Sequence, residues 1–303
     1  MFRALPPADV VVCNAVALPI WLGRLKPAAG RVVVTAGRMP RGQYRFYSRL
    51  ARVLAPSEFV RERLLSEDPG LGPKIRTTGY PIDWTLLSGN GGSLPALFPN
   101  RGPDAGVTLG FVGRLHREKG LLLLADAIGI LRADPGVPPF QMLVCGPSDT
   151  ERGGSGSAFR MQLLTQLSKS LESSRLHVLE PQFDERALGS IYRGIDVFCY
   201  PSLANAGETF GVGVAEAMAA GAVPVVSGLA CFRDFVRDGV NGLVFDHAAG
   251  DPAANLASVL RRAILDALLR QKLSAQARAD VRRYDFPDYA DRLLADFATL
   301  APN

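Results

Sequence analysis

The chain has 303 residues, of which 48% are hydrophobic and 21% are charged, and it carries a formal net charge of +5. Its length predicts about two domains, and its composition excludes a disordered or collagen-like chain. No apolar run approaches the roughly 18 residues that a membrane-spanning helix needs, and Arg and Pro interrupt the first sixteen residues, unlike a secretion signal. The expected compartment is therefore the cytoplasm.

Short apolar runs alternate with amphipathic segments in the first third of the chain, which is typical of parallel α/β architecture. A helix is expected at Gln43–Ala51, and another should begin at Ser57, whose hydroxyl can cap a helix N-terminus. The apolar runs predict four strands, at Val10–Cys13, Val32–Thr35, Val53–Ala55 and Ile75–Thr77.

The alternation stops at residues 88–106, which are rich in Gly, Pro, Ser and Asn and predict a linker. It then resumes, and six crossover-connected strands predict a complete doubly wound sheet. The chain after Asp251 is expected to be helical and to end in a helix at Pro287–Leu300. The six strands are predicted at Val107–Val112, Phe140–Cys145, Leu176–Leu179, Val197–Tyr200, Ala222–Ser227 and Leu243–Phe245.

These patterns predict an N-terminal domain at residues 1–88, incomplete or minimal because it has few strands, and a linker at 89–106. A complete Rossmann-like domain follows at 107–283, and a C-terminal helix follows at 284–303.

Basic charge is concentrated at the start of the chain, where residues 1–100 contain 13 Lys and Arg against 6 Asp and Glu. A basic face suggests an anionic acceptor or a membrane surface, whereas a solvated helix face explains it equally well. The densest part consists of Arg38, Arg41, Arg45, Arg49 and Arg52. No nucleic-acid partner is predicted.

The first segment that could carry chemistry is VTLGFVGRLHREKG, where a buried strand runs into Gly113. In open α/β sheets, ligands bind beyond the carboxyl ends of the strands, where a helix N-terminus attracts anions. Arg114 and Lys119 would add a cationic clamp suited to a diphosphate. A surface turn with solvated basic residues is the alternative.

The second segment is PSLANAGETFGVGVAEAMAAG, in which a helix is expected to begin near Phe210. Carboxylates accept hydrogen bonds from sugar hydroxyls. Glu208 would therefore hold a sugar, amides near Phe210 and Gly211 a phosphate, and Glu216 a ribose. A helix-capping Glu208 and a surface Glu216 are the alternative.

Other chemistries have less support in the sequence. A glycosidase would need two carboxyl groups that flank one scissile bond, and the Arg and Lys clamp favours a nucleotide donor instead. The three His residues lack metal-ligand spacing, and no Ser nucleophile elbow occurs. Cys13, Cys145, Cys199 and Cys231 form no C-x-x-C pair, so neither a zinc site nor a disulfide framework is predicted.

The two segments together resemble the retaining glycosyltransferases of family 4, with G-R-L-x-x-x-K-G at residues 113–120 and Glu-x7-Glu from Glu208 to Glu216. The resemblance implies a GT-B-like fold with two Rossmann-like domains and a last helix, at Pro287–Leu300, that crosses back to the N-terminal domain. It also implies sugar transfer from a UDP- or GDP-sugar with retention at the anomeric carbon. Bound UDP or GDP is the expected product, and neither a metal ion nor another cofactor is expected.

The resemblance assigns catalytic roles to Arg114, Lys119 and Glu208. Arg114 and Lys119 would contact the diphosphate, and Glu208 the transferred sugar. The donor-binding set is Gly113, Arg114, Lys119, Glu208, Phe210, Gly211, Val212 and Glu216.

The sequence departs from the family in its shortened N-terminal domain and in Gly37, which stands where a His is common. The acceptor is unknown, and the basic first third suggests an anionic or lipid-linked one, reached through peripheral membrane contact. The main alternative is a non-catalytic or half-enzyme subunit completed by a partner chain or a second copy. A sugar-nucleotide epimerase is a further alternative.

Overall fold

A computed structural model describes residues 8–14, 18–19, 31–47, 50–89 and 106–300. The chain divides into two compact units. The smaller unit consists of Met1–Pro81, Ala206–Gly211 and Arg283–Asn303, and the larger unit consists of Ile82–Asn205 and Val212–Arg282. Most of the expected linker and Arg49 lie outside the described residues.

Among the described residues all strand pairs are parallel, and every strand predicted from the sequence is confirmed, with the third beginning at Leu50 rather than Val53. The smaller unit contains β1 (Val10–Cys13), β2 (Arg31–Thr35), β3 (Leu50–Ala55) and β4 (Ile75–Thr77). The larger unit contains β5 (Val107–Val112), β6 (Phe140–Cys145), β7 (Leu176–Leu179), β8 (Val197–Tyr200), β9 (Val223–Ser227) and β10 (Leu243–Phe245).

The helices follow the strands as crossover connections or close the chain after β10. They are α1 (Glu58–Glu67), α2 (Trp84–Ser88), α3 (Leu121–Ala133), α4 (Ser157–Ser168), α5 (Glu185–Arg193), α6 (Val212–Ala220), α7 (Pro252–Leu265), α8 (Ala267–Val281) and α9 (Phe286–Ala298). None of the helices in the described ranges is both long enough and apolar enough to cross a bilayer.

In the smaller unit, the sheet order is β1-β2-β3-β4. The expected cap of α1 is confirmed, because Ser57 Oγ accepts a hydrogen bond from the Val60 amide. The prediction of a helix at Gln43–Ala51 is wrong. Residues Gln43–Phe46 form a short 3-10 turn, and Leu50 pairs with Val32 in the sheet.

The error at Gln43–Ala51 has a clear physical cause. Tyr44, Tyr47 and Leu50 recur at a helical spacing and are all buried, as an amphipathic helix would require. The two tyrosine rings instead pack edge to face, 5.1 Å apart, and Leu50 begins β3. Pairing within the sheet has overridden the local helical pattern.

Within the smaller unit, helix α9 packs on the sheet through its acidic residue Asp296. The Asp296 carboxylate accepts hydrogen bonds from Arg52 Nε at 3.0 Å and Arg76 Nε at 2.9 Å. The Tyr289 hydroxyl lies 3.4 Å from Thr78 Oγ1. Arg52, one of the five basic residues noted in the sequence, is therefore paired within the unit rather than displayed on a free basic face.

In the larger unit, the sheet order is β10-β9-β8-β5-β6-β7. From β5 the chain continues outward through β6 and β7, and then returns to the other side of β5 for β8, β9 and β10. The topological switch point lies between β5 and β8, where α/β sheets bind ligands beyond the strands' carboxyl ends. The expected α/β, GT-B-like architecture with two Rossmann-like sheets is confirmed.

Candidate donor-binding site

The loop after β5 lies at the switch point and is held by backbone contacts. The Gly113 amide donates to the Cys145 carbonyl at 3.0 Å. A Cβ on Gly146 would lie 1.9 Å from the Gly113 carbonyl oxygen, and one on Gly120 would lie 2.0 Å from that of Pro201. The carboxyl ends of β5, β6 and β8 therefore meet so closely that only glycine fits at these two positions.

Lys119 is the buried cation of this loop. Its side chain is 6% exposed, and its Nζ donates a hydrogen bond to the Tyr200 hydroxyl at 2.8 Å. Tyr200 is the last residue of β8, and its ring stacks 5.8 Å from that of Phe111 in β5. Tyr200 thus fixes the Lys119 ammonium at the carboxyl end of the sheet.

Arg114 is the half-exposed cation of the same loop. Its guanidinium donates to the Gly153 carbonyl at 2.7 Å and to Glu118 Oε1 at 3.2 Å. Nitrogen donors on the same planar group remain for an anionic ligand, because a guanidinium carries five N–H bonds. His116 caps the 3-10 turn at Arg117–Lys119 by accepting from the Glu118 amide.

The N-terminus of α6 approaches the same end of the sheet. A Cβ on Gly213 would lie 3.2 Å from the Tyr192 hydroxyl and 3.5 Å from the Val112 carbonyl oxygen. The helix begins at Val212, two residues later than the sequence predicted. Its positive dipole end therefore lies beside the terminal residue of β5, an arrangement that favours anions.

Glu216 lies one turn into α6 and is half-buried. The Tyr192 hydroxyl donates to its Oε2 at 2.7 Å, which leaves Oε1 for another donor. Burial raises the pKa of the Glu216 carboxyl, and the hydrogen bond from Tyr192 opposes that rise. Burial and the adjacent carboxylate raise the pKa of Tyr192 well above its ordinary value, so Tyr192 stays a donor.

Glu208, Phe210 and Gly211 lie in a segment that belongs to the smaller unit. Glu208 is 8% exposed and Phe210 is 1% exposed, so neither is a plain surface residue. Gly211 has a φ of +92°, a backbone conformation that favours glycine. This turn leads into Val212, where α6 begins.

The smaller unit also contains a cavity of about 460 Å³ at the carboxyl ends of β1 and β2. Asn14 and Thr35 lie at the strand ends, and Arg38, Gln43 and Tyr44 also line the cavity. The lining combines a guanidinium, two amides and hydroxyl groups. This set suits a ligand with several hydroxyls and a negative charge.

The cysteines and the residue types that could bind a metal were also considered in the sequence. All four cysteines are buried, and burial raises the pKa of the Cys199 thiol to about 12. In the part of the chain that the structure describes, no three His, Cys, Asp or Glu residues are grouped as metal ligands would be.

Sequence reasoning missed the tyrosines that support these residues. Tyr200 could have been found, because it ends a predicted strand and strand ends carry ligand-binding residues in such sheets. Tyr192 had no comparable signal, since its contact with Glu216 joins two different helices.

The sequence profile described as "Glycosyl transferases group 1" matches residues 106–266, more than half of the chain. The phosphatidyl-myo-inositol mannosyltransferase of Mycobacterium leprae is 34% identical over 201 residues, which are 66% of this chain and 48% of that protein. The D-inositol 3-phosphate glycosyltransferase of Thermomonospora curvata is 34% identical over 196 residues, 63% and 42% of the two chains. The chain spans about half the length of the curated relatives it matches.

Solved structures share the fold across nearly the whole chain. A glycosyltransferase from Rickettsia africae superposes with a TM-score of 0.79 at 18% identity, covering 97% of this chain and 77% of its own. Anabaena Alr3699/HepE in complex with UDP and glucose superposes with a TM-score of 0.78 at 18% identity, covering 96% of this chain and 78% of its own. At such identities the likeness concerns the fold alone.

Proposed function

Because the chain belongs to the group 1 glycosyl transferases, we propose that it transfers a sugar from a nucleoside diphosphate donor, a UDP- or GDP-sugar, to an acceptor hydroxyl. The observation that carries this proposal is the switch point of the larger unit. A buried Lys119, the N-terminus of α6 and the half-buried Glu216 are all held at the carboxyl ends of β5 and β8. The cation and the helix dipole suit the diphosphate, and the carboxylate suits the ribose.

The proposed roles follow from these chemical properties. Arg114 and Lys119 bind the diphosphate, with the amides of Phe210, Gly211 and Val212 as further donors. Glu216 accepts a hydrogen bond from the ribose through Oε1, and Glu208 accepts hydrogen bonds from the transferred sugar. Gly113 gives the diphosphate close access to the loop backbone.

The proposed reaction retains the anomeric configuration, as in the family 4 enzymes that the sequence resembles. The bond between the anomeric carbon and the diphosphate oxygen breaks, and its electron pair leaves with the diphosphate. The acceptor oxygen bonds to the same face of the sugar, and its proton passes to the leaving phosphate oxygen. Arg114 and Lys119 then stabilise the charge that grows on the diphosphate, which is an electrostatic form of catalysis.

In this proposal the two cations supply the charge that a bound metal ion would otherwise provide. Protein treated with EDTA is therefore expected to keep its activity. Loss of transfer that added Mg²⁺ or Mn²⁺ restores would contradict this part of the proposal.

For the acceptor, we propose a polyhydroxylated molecule with an anionic group, free or lipid-linked. The cavity beside Arg38 has the matching chemistry, and the relatives' names refer to inositol phosphates and phosphatidylinositol. Arg38→Ala should raise the acceptor KM at least tenfold, because one charge-assisted hydrogen bond contributes about 1.5–3 kcal/mol. Exposed Arg63 in α1 provides a control, as Arg63→Ala should leave that KM unchanged.

A second candidate is a subunit that binds nucleotide but needs a partner chain for transfer. The observation in its favour is that the matched relatives are about twice as long as the matched region. It predicts donor binding without turnover by this chain alone, and turnover on addition of the partner.

The deciding experiment combines calorimetry and transfer assays on the 303-residue chain. UDP, GDP and ADP are compared with their glucose, mannose and N-acetylglucosamine forms. The proposal expects one nucleotide to bind well, and Lys119→Ala and Glu208→Gln each to lower turnover by about 10²-fold or more. Absence of binding by folded protein, or full turnover by Lys119→Ala, would overturn it.

A further inference from the structure

The segment that carries Glu208 is anchored in the smaller unit by the side chain of Phe210. The Phe210 ring lies 5.9 Å from the ring of Tyr80 and 5.2 Å from that of Tyr284, between centroids. Both pairs pack edge to face, with interplanar angles of 72° and 79°, a favourable arrangement of aromatic rings. We call Tyr80, Phe210 and Tyr284 the aromatic cluster.

The residue between Glu208 and Phe210 is held as well. The side chain of Thr209 is hydrogen-bonded to the Tyr80 hydroxyl. Phe210 and Thr209 are thus both fixed by Tyr80, one through its ring and the other through its hydroxyl. Glu208 is the next residue along the backbone, and its own side chain is buried.

Two glycines leave room for the tyrosines of the aromatic cluster. A Cβ on Gly79 would lie 2.3 Å from a ring carbon of Tyr284, and one on Gly37 would lie 3.1 Å from the Tyr80 hydroxyl. Gly79 also has a φ of +73°. The backbone around the cluster is therefore shaped to the two rings, which restricts where each tyrosine can lie.

We propose that Tyr80 and Tyr284 are positioning residues for Glu208. They hold Phe210 and Thr209, and through them fix the backbone from which the Glu208 carboxylate reaches the hydroxyls of the transferred sugar. We assign neither tyrosine a contact with the substrate. This inference rests on the proposed function, because it assigns meaning to the position of Glu208 only if Glu208 binds that sugar.

A purely structural role for the tyrosines makes a different prediction, and the chain offers a matched control. The Tyr289 hydroxyl lies 3.4 Å from Thr78 Oγ1 in the same unit. Tyr289 is near enough to Tyr80 to raise the pKa of that tyrosine, but its threonine partner, Thr78, lies outside the Glu208 segment. Tyr80→Phe and Tyr289→Phe each remove one hydroxyl next to a threonine. A structural role predicts similar consequences for both variants, whereas positioning predicts an effect on the sugar for Tyr80→Phe alone.

The test measures nucleotide and sugar binding separately. Calorimetry gives the Kd of UDP and of UDP-glucose, and of GDP and GDP-mannose, for each variant, and donor hydrolysis or transfer gives kcat. In Tyr80→Phe the ring that packs on Phe210 remains, so the proposed diphosphate amides stay in place and the Kd for the free diphosphate should be unchanged. We expect the Kd for the sugar nucleotide to rise about fivefold and kcat to fall about tenfold, because the contact with Thr209 is lost. Tyr289→Phe should match the unmodified chain in all three quantities.

Tyr284 is tested by two substitutions. Tyr284→Ala should lower kcat more than Tyr80→Phe, and Tyr284→Phe should restore it, because the ring rather than the hydroxyl packs on Phe210. Circular dichroism establishes whether Tyr284→Ala is folded. If Tyr284→Ala does not fold, Tyr80→Phe and Tyr284→Phe still decide the question.

The inference is overturned if Tyr80→Phe equals the unmodified chain, if it equals Tyr289→Phe, or if the free diphosphate loses affinity as much as the sugar nucleotide. Glu208→Gln separates this failure from failure of the proposed function. Full activity of Glu208→Gln would refute the sugar-binding role itself. Inactive Glu208→Gln beside fully active Tyr80→Phe would refute only the positioning role.

Discussion

The two units of the molecule use the chain in different ways. The larger unit is built from Ile82–Asn205 and Val212–Arg282, and its strands, crossover helices and glycine turns follow one another in order. The smaller unit combines three segments that are far apart in the sequence, including the six residues Ala206–Gly211. Local patterns therefore describe the larger unit well, whereas long-range contacts complete the smaller one.

The difference extends to what holds each unit together. In the larger unit, backbone approaches backbone at the strand ends, as at Gly120 and Gly146. In the smaller unit, side chains from α9 and from the Glu208 segment reach the sheet and the turn after β4, through Asp296 and the aromatic cluster. The first kind of contact tolerates no added atom, and the second depends on particular side-chain groups.

The largest expected effect comes from adding one methyl group in the larger unit. Gly120→Ala would place Cβ 2.0 Å from the Pro201 carbonyl oxygen, at a φ of +69°. We expect a loss of more than about 3 kcal/mol in the free energy of unfolding, because backbone cannot move away as a flexible side chain can. Urea denaturation followed by circular dichroism measures this loss.

Gly239 supplies the control for that prediction. Its φ is +68° and no atom lies within 4 Å of its added Cβ, so Gly239→Ala carries only the conformational strain, about 1–2 kcal/mol. Equal losses for the two variants would show that the contact between Gly120 and Pro201 does not constrain the larger unit.

An intermediate effect is expected in the smaller unit for Asp296→Ala. This change leaves the guanidinium groups of Arg52 and Arg76 without the carboxylate that now accepts from both, and the Arg52 side chain is only 14% exposed. Loss of hydrogen bonds to a charged group costs about 2 kcal/mol. Thermal unfolding should show a lower Tm for the smaller unit.

Asp291 lies on the same helix and is exposed, so Asp291→Ala should change the free energy of unfolding by no more than about 0.5 kcal/mol. If the two variants behave alike, the ion pairs of Asp296 do not hold α9 to the sheet of the smaller unit, and the contrast between the units is weaker than described.

The smallest expected effect is a gain in stability for Glu216→Gln in the larger unit. Burial raises the pKa of this carboxyl in the folded state, so folding disfavours its charged form. That cost is absent below the unfolded pKa, grows as pH rises through the folded pKa, and is complete above it. Glu216→Gln should therefore raise the Tm at pH 8 and leave it nearly unchanged near pH 4.

The same variant should bind UDP or GDP more weakly, since the proposed ribose acceptor is lost. Glu172→Gln, an exposed change in the same unit, should alter neither quantity. A lower Tm for Glu216→Gln at pH 8 would show that the carboxylate stabilises the fold instead of serving the ligand.

The strands could be predicted because a strand buried on both faces reads as a continuous apolar run. β6 is buried at all six positions and β9 at all five. Residues at the ends of such strands are predictable for the same reason, and the loop after β5, which begins at Gly113, could therefore be predicted as a ligand-binding segment. An apolar run and the strand that it forms occupy the same few consecutive residues, so the strand can be predicted without knowledge of distant contacts.

The contacts that complete the smaller unit have no such local signature. Tyr80, Phe210 and Tyr284 come from three separate segments, and nothing in the spacing around any one of them indicates the other two. The error at Gln43–Ala51 belongs to the same class. Its helical spacing of Tyr44, Tyr47 and Leu50 is real, but the pairing of Leu50 with Val32 decides the outcome.

The three-segment construction of the smaller unit also sets an order in time. During synthesis, Met1–Pro81 leaves the ribosome well before Arg283–Asn303 exists. At about 5–20 residues per second, the wait lasts on the order of 10–40 seconds. Throughout that interval the first four strands lack the carboxylate of Asp296 and the ring of Tyr284. Nascent chains of this protein therefore present an apolar, unfinished sheet, and chaperones that shield such surfaces should bind them until translation ends.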